Sequence, residues 1–151
     1  MYKKIVLKKG KEESLLRKHP WVFSGAIHKM DETLEEGELV QVYTHNGNFI
    51  GVGHFQIGSI TVRILSFSDV SIDADFWQSR LKAAWAVREA IGVIRPKGDG
   101  ACTTGETVNT TYRLVHGEGD NLPGLIVDVY GTTCVLQAHS VGMHVSRFAI
   151  A

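Results

Sequence analysis

The chain has 151 residues, of which 44% are hydrophobic, with 16 Lys plus Arg balancing 16 Asp plus Glu. That length suits one ordinary domain or two small ones, and an apolar fraction near the globular average allows a real core and argues against wholesale disorder. No run approaches the ~18 apolar residues of a membrane span, and the opening MYKKIVLKKG lacks the long apolar stretch of a secretory leader, so the cytoplasm is the expected location and a membrane is not an expected partner.

The neutral total hides a gradient. Residues 1–30 carry a net charge of +6, residues 31–75 of −7, and residues 76–151 of +1. A local excess of this size attracts phosphate even on a neutral protein, although a lysine-rich edge strand would look the same.

In chain order, YKKIVLKK reads as a strand ending at Gly10. KEESLLRKH suits a short helix with Leu15 and Leu16 turned inward, stopped before Pro20. WVFSGAI is a loop entering a strand, and ELVQVYTH alternates as a strand with Leu39, Val42 and Tyr43 near one another. Asn46-Gly47 predicts a type I′ hairpin turn. FIGVGHFQ and ITVRILSF are further strands, separated by Gly58-Ser59. Residues 1–68 therefore form a mostly β unit with one early helix.

The period then changes. SIDADFWQSRLKAAWAVREAIG is a long helix with Phe76, Leu81, Ala84, Trp85, Val87 and Ile91 at helical spacing, capped by Ser71 or Asp73 and ended at Gly92. Residues 93–110 read as a loop rich in Gly and Thr. TYRLVHGEGDNLPGLIVDVYG is strand, turn, strand, where the dense Gly and Asp force a tight bend. TTCVLQAHS is another strand, and VGMHVSRFAIA begins a helix that stops without a terminating signal, as expected of a fragment. A seam is placed near residues 68–73.

No catalytic constellation is legible. The pairs Gly51/Gly53, Gly98/Gly100 and Gly117/Gly119 lack the third glycine of a dinucleotide loop, and no phosphate-binding lysine motif exists. Seven histidines lack metal-ligand spacing, the two cysteines form no C-x-x-C, and Cys134 in an apolar strand predicts a buried inert thiol. No cofactor, no metal and no catalytic residue is assigned to this chain. The better signal is the basic opening, where Arg17, Lys18 and His19 precede Trp21 and Phe23. Cations beside aromatics can combine phosphate attraction with base stacking, although Trp21 and Phe23 read more readily as core.

KGKEESLLRKHPWVFSGAI and TYRLVHGEGDNLPGLIVDVYG, in this order and separation, resemble the N-terminal half of the bacterial 23S rRNA cytosine-C5 methyltransferase I family. The resemblance covers nearly the whole chain. It implies an α+β fold: a PUA-like β-barrel over residues 1–69, then a small α/β linking domain over residues 73–151, truncated before a Rossmann-like methyltransferase domain. S-adenosylmethionine and the catalytic cysteines of the family belong to that third domain, so Cys102 and Cys134 inherit no role and this chain alone is expected to be inactive. The implied function is RNA recognition in rRNA processing, with ribosomal RNA and the C-terminal methyltransferase domain of the same parent chain as partners, and a second copy as a further candidate. From the charge pattern, the RNA surface is expected on Lys9 and Lys11, which flank the turn at Gly10, and on Arg17, Lys18 and His19 at the end of the helix, with Ser24 and Gly25 offering main-chain and hydroxyl contacts. Two departures from the family stand out: residues 94–110 look longer than a helix-to-strand loop needs, and the family's Asp-Arg-Tyr/Phe-Gly reads Asp128-Val129-Tyr130-Gly131. The alternatives are the PUA module of another RNA-modifying system, such as a pseudouridine synthase or a transglycosylase, or a protein-interaction or dimerisation unit with no RNA role.

Overall fold

The computed structural model of the chain describes residues 2–94 and 110–151. Six strands make the first sheet: β1 (Lys3–Leu7), β2 (Trp21–Phe23), β3 (Ile27–Lys29), β4 (Leu39–Tyr43), β5 (Phe49–Phe55) and β6 (Ile60–Ser66). Their spatial order is β2-β6-β5-β4-β1-β3, antiparallel except for the parallel pair β1–β4. The sheet curls into a half-barrel. Its concave face holds a core of Ile5, Leu7, Leu15, Val22, Val40, Val42, Ile50, Phe55, Val62 and Ile64.

The early helix, α1, is one turn, Glu13–Leu16, rather than the nine residues the sequence suggests. Only Leu15 is buried there, while Leu16 is 65% exposed, because a single turn carries only one of two adjacent side chains to the core. The chain leaves α1 through Lys18 in the left-handed region (φ 66°), ahead of Pro20. The turn between β4 and β5 also differs from the type I′ expectation. Only Gly47 has positive φ (84°), and its amide donates to Thr44 O at 3.0 Å. This is a type I turn followed by a left-handed glycine, and the extra residue is absorbed by a register shift beside Tyr43.

The second sheet is antiparallel, in the order β7 (Thr111–His116), β8 (Leu125–Tyr130), β9 (Thr133–Ala138), with a 3-10 turn over Gly117–Asp120. Two helices accompany it, α2 (Ala74–Ala90) and α3 (Val141–Ile150). Asp73 caps α2 by accepting from the Phe76 amide at 3.0 Å, and Gly92 (φ 75°) closes it, as its sequence predicts. Of the expected stripe of α2, Ala84 is buried beside Trp77 and Phe76 and Leu81 pack against the second core, whereas Trp85, Val87 and Ile91 are exposed. Helical period identifies a helix but not which stripe is covered when apolar residues surround it. Cys134 is exposed on β9, contrary to the expected buried thiol, because β9 is an edge strand. The loop expected over residues 93–110, with Cys102 and Gly98/Gly100, lies largely outside the described residues.

One row of side chains on the first sheet runs along the side that faces the second sheet and its helices. Register places Trp21 opposite Arg63, Arg63 opposite His54, and His54 opposite Leu39, across β2, β6, β5 and β4. Directly opposed residues share a face. That face is the outer one, since Val62 and Ile64 point into the first core while Leu65 joins the second, with Trp77, Val115, Leu125 and Met143.

Candidate nucleic-acid interface

Two exposed stretches carry the sequence-predicted site. Lys9 and Lys11 are exposed on either side of Gly10, whose φ of 77° makes the turn after β1. Lys8 Nζ donates to Gly25 O at 3.0 Å and the Lys8 amide to Ala26 O at 2.8 Å, so Ser24 and Gly25 sit beside that turn. The Ser24 amide is used internally, donating to Ser59 O at 2.9 Å. A ligand contact from Ser24 therefore falls to its hydroxyl.

Arg17, Lys18 and His19 are exposed at the exit of α1. The Lys18 ammonium lies 4.7 Å over the Phe67 ring, a placement worth ~0.5–1 kcal/mol at an exposed site. A helix dipole offers little reason for these cations, since one turn sums few peptide dipoles. The Trp21 amide donates to His19 Nδ1 at 3.3 Å, which engages one nitrogen of the ring. The His19 ring meets Trp21 edge-on at 5.4 Å and Phe23 in a stacked arrangement at 6.5 Å. Val22, between Trp21 and Phe23 in sequence, points the other way into the first core and is 1% exposed, but Phe23 is 48% exposed, so the core reading fails for Phe23. The structure thus brings Arg17, Lys18 and His19 together with an aromatic surface, and Lys9 and Lys11 with Ser24 and Gly25.

The contacts made by the cross-strand row of Trp21, Arg63, His54 and Leu39 are not legible in the sequence. Trp21 Nε1 donates to Glu118 Oε1 at 2.9 Å, tying β2 to the 3-10 turn ninety-seven residues away. His54, 3% exposed, packs flat against Gly142 of α3, stacks on Trp77 at 6.2 Å, and places Nε2 3.2 Å from Ser146 Oγ. Burial pushes its pKa down to about 4, so the ring is neutral. Among the described residues, Arg63 reaches the Gln56 carboxamide, at 3.1 Å. The alternation of TVRILS is the one available signal, since it puts Arg63 on a face with Leu65.

The acidic turn residues mostly hold the second unit together. The Arg88 guanidinium forks onto both Asp120 oxygens, and Asp120 also accepts from the His116 amide. Burial opposes ionisation of Asp120, but those two donors override it and hold its pKa below the usual range. Arg113 forks onto Asp128 at 2.7 and 3.0 Å, which lowers the Asp128 pKa. Asp128 is thus partnered within the sheet, beside the position where the family's arginine is missing. Gly51 and Gly53 lie in β5, and Gly117 and Gly119 in a 3-10 turn, so neither pair forms a strand-to-helix cradle that fits S-adenosylmethionine. Among the described residues no three His, Cys, Asp or Glu converge on a metal position. No described helix is long and apolar enough to cross a membrane.

Comparison with known proteins falls on the same two parts. Residues 5–67 match the PUA-like domain family. The first sheet is a PUA-like β-barrel, and the whole is α+β. Over 151 residues the chain is 37% identical to the Ribosomal RNA large subunit methyltransferase I of Salmonella paratyphi B and of Salmonella newport, covering 99% of this chain and 34% of each relative. The chain therefore spans about a third of the length of the curated relatives it matches. Among solved structures, a candidate SAM-dependent methyltransferase from Streptococcus mutans superposes with a TM-score of 0.76 at 18% identity, over 99% of this chain and 36% of that one. A candidate methyltransferase complexed with SAH superposes equally well. These two likenesses concern the fold.

Proposed function

We propose that this chain is the RNA-recognition portion of an S-adenosylmethionine-dependent rRNA (cytosine-C5) methyltransferase. The observation that carries the reading is the identity of 37% to curated rRNA methyltransferases, sustained along 99% of the chain and not confined to the barrel. In this reading the PUA-like unit and the α/β unit after the seam hold ribosomal RNA in the cytoplasm. A further domain of the same parent holds the cofactor and performs the chemistry. The RNA surface is Lys9, Lys11, Arg17, Lys18, His19, Ser24 and Gly25, and the chain alone transfers no methyl group.

A salt titration of RNA binding tests the reading. Each phosphate contacted on a single strand contributes ~0.7 to the slope of log affinity against log salt. Arg17→Ala with Lys18→Ala should weaken binding to every sequence and lower the slope by about one to two. Unchanged affinity and slope would remove this surface, and absence of salt-sensitive RNA binding by the unaltered chain would overturn the reading.

A further inference from the structure

The cross-strand row of Trp21, Arg63, His54 and Leu39 leaves one arginine without a counter-charge among the described residues. Arg63 lies on β6 between Trp21 and His54, half-buried, and its Nη1 donates to Gln56 Oε1 at 3.1 Å. Among the described residues no carboxylate pairs with it, whereas Arg88 and Arg113 in the second unit are neutralised by Asp120 and Asp128. A carboxamide fixes the orientation of a guanidinium without cancelling its charge. Arg63 faces a cleft of about 190 Å³ whose opposite wall is His116, Gly117, Glu118, Leu125 and His139. The cleft exists only because the barrel and the second unit meet there.

We propose that this seam cleft binds a backbone phosphate of single-stranded RNA, so that one strand contacts both units at once; this rests on the RNA-recognition reading above. A guanidinium fork matches two phosphate oxygens, and it is most effective where its charge is not already spent on a carboxylate. The two imidazoles across the cleft supply N–H donors to the remaining oxygens. The cleft also continues the basic edge. Arg17 and Lys18 lead to His19, whose ring touches Trp21 and Phe23, and Trp21 stands opposite Arg63. Bases of the same strand can stack on the exposed Phe23 while the backbone turns into the seam.

Glu118 sets the sign of the test. Its carboxylate lines the cleft and accepts from Trp21 Nε1, so it opposes a phosphate while helping to hold the seam. Glu118→Gln keeps an acceptor for Trp21 and removes the repulsion. The chain is titrated with a single-stranded RNA oligonucleotide across a salt series, beside Arg63→Gln, Arg63→Lys and Glu118→Gln, with thermal melts as a folding control. Arg63→Gln should weaken binding and lower the salt slope by ~0.7, the contribution of one single-strand phosphate. Arg63→Lys should restore the slope, and Glu118→Gln should tighten binding severalfold. If Arg63→Gln and Glu118→Gln leave affinity and slope unchanged while the Arg17/Lys18 double variant lowers both, the seam proposal falls and the RNA reading stands. If the unaltered chain shows no salt-sensitive RNA binding, both fall. Inorganic phosphate is the second probe: saturable binding of phosphate alone, lost in Arg63→Gln, would mark a free-anion site and overturn the RNA assignment.

Discussion

Gly142 is where the seam is least tolerant. It sits in the first turn of α3 with the His54 imidazole lying against its Cα, and a Cβ built there would fall inside the van der Waals envelope of His54 Cβ, Cγ and Nδ1. Those atoms are the root of a side chain that is 3% exposed and backed by Trp77, so rotation cannot relieve the overlap and α3 or β5 must move. Overpacking of this kind costs ~1–3 kcal/mol. Against it stands the helix preference of Ala over Gly, at most ~1 kcal/mol and less in a first turn. The clash wins, and Gly142→Ala should destabilise the chain by ~1–2 kcal/mol. The reasoning fixes a sign reversal. In a His54→Ala background the obstacle is gone, only the helix preference remains, and Gly142→Ala should become neutral or stabilising by up to ~1 kcal/mol. Urea denaturation of the four proteins, followed by circular dichroism, gives a coupling energy of ~1–3 kcal/mol. Effects at the two positions that add within ~0.5 kcal/mol would refute the interlock.

The same histidine gives the chain a pH dependence. Its folded pKa of about 4 lies below the ordinary 6.5, so the unfolded chain takes up the proton first. Stability contributed by the neutral ring is complete above pH 6.5 and is lost as pH falls toward 4, by at most ~3 kcal/mol. Urea midpoints between pH 4 and 7 should show this slope in the unaltered chain and not in His54→Asn. Asp120→Ala strands the Arg88 guanidinium, whose side chain is 12% exposed, and should cost ~3 kcal/mol, read as a lowered denaturation midpoint. Gly25→Ala meets open space without positive φ, so the thermal midpoint should hold while RNA affinity falls if the backbone must approach Gly25 closely.

Local patterns were legible where local chemistry decides them. The period-two run over Leu39–Tyr43, the Asp73 cap and the Gly92 stop each depend on a few neighbouring residues, and the structure has all three. The Arg17–Lys18–His19 cluster was legible because the three are adjacent. Trp21 with Glu118, and His54 with Gly142, were not: each pair is more than eighty residues apart, and cross-strand register that aligns Trp21, Arg63, His54 and Leu39 is set by bulges no local rule locates. One clue was nevertheless present. In ITVRILS, Val62 and Ile64 alternate with Arg63 and Leu65, so both faces of β6 carry an apolar residue. A strand of that kind is covered on both sides, and a single cation within it must find either a carboxylate or a cleft. Gln56 is not a carboxylate, and the space before Arg63 is the seam. The charge is therefore retained in a cleft lined by both sheets, which is why the variant that keeps charge but loses the fork, Arg63→Lys, separates phosphate attraction from bidentate recognition.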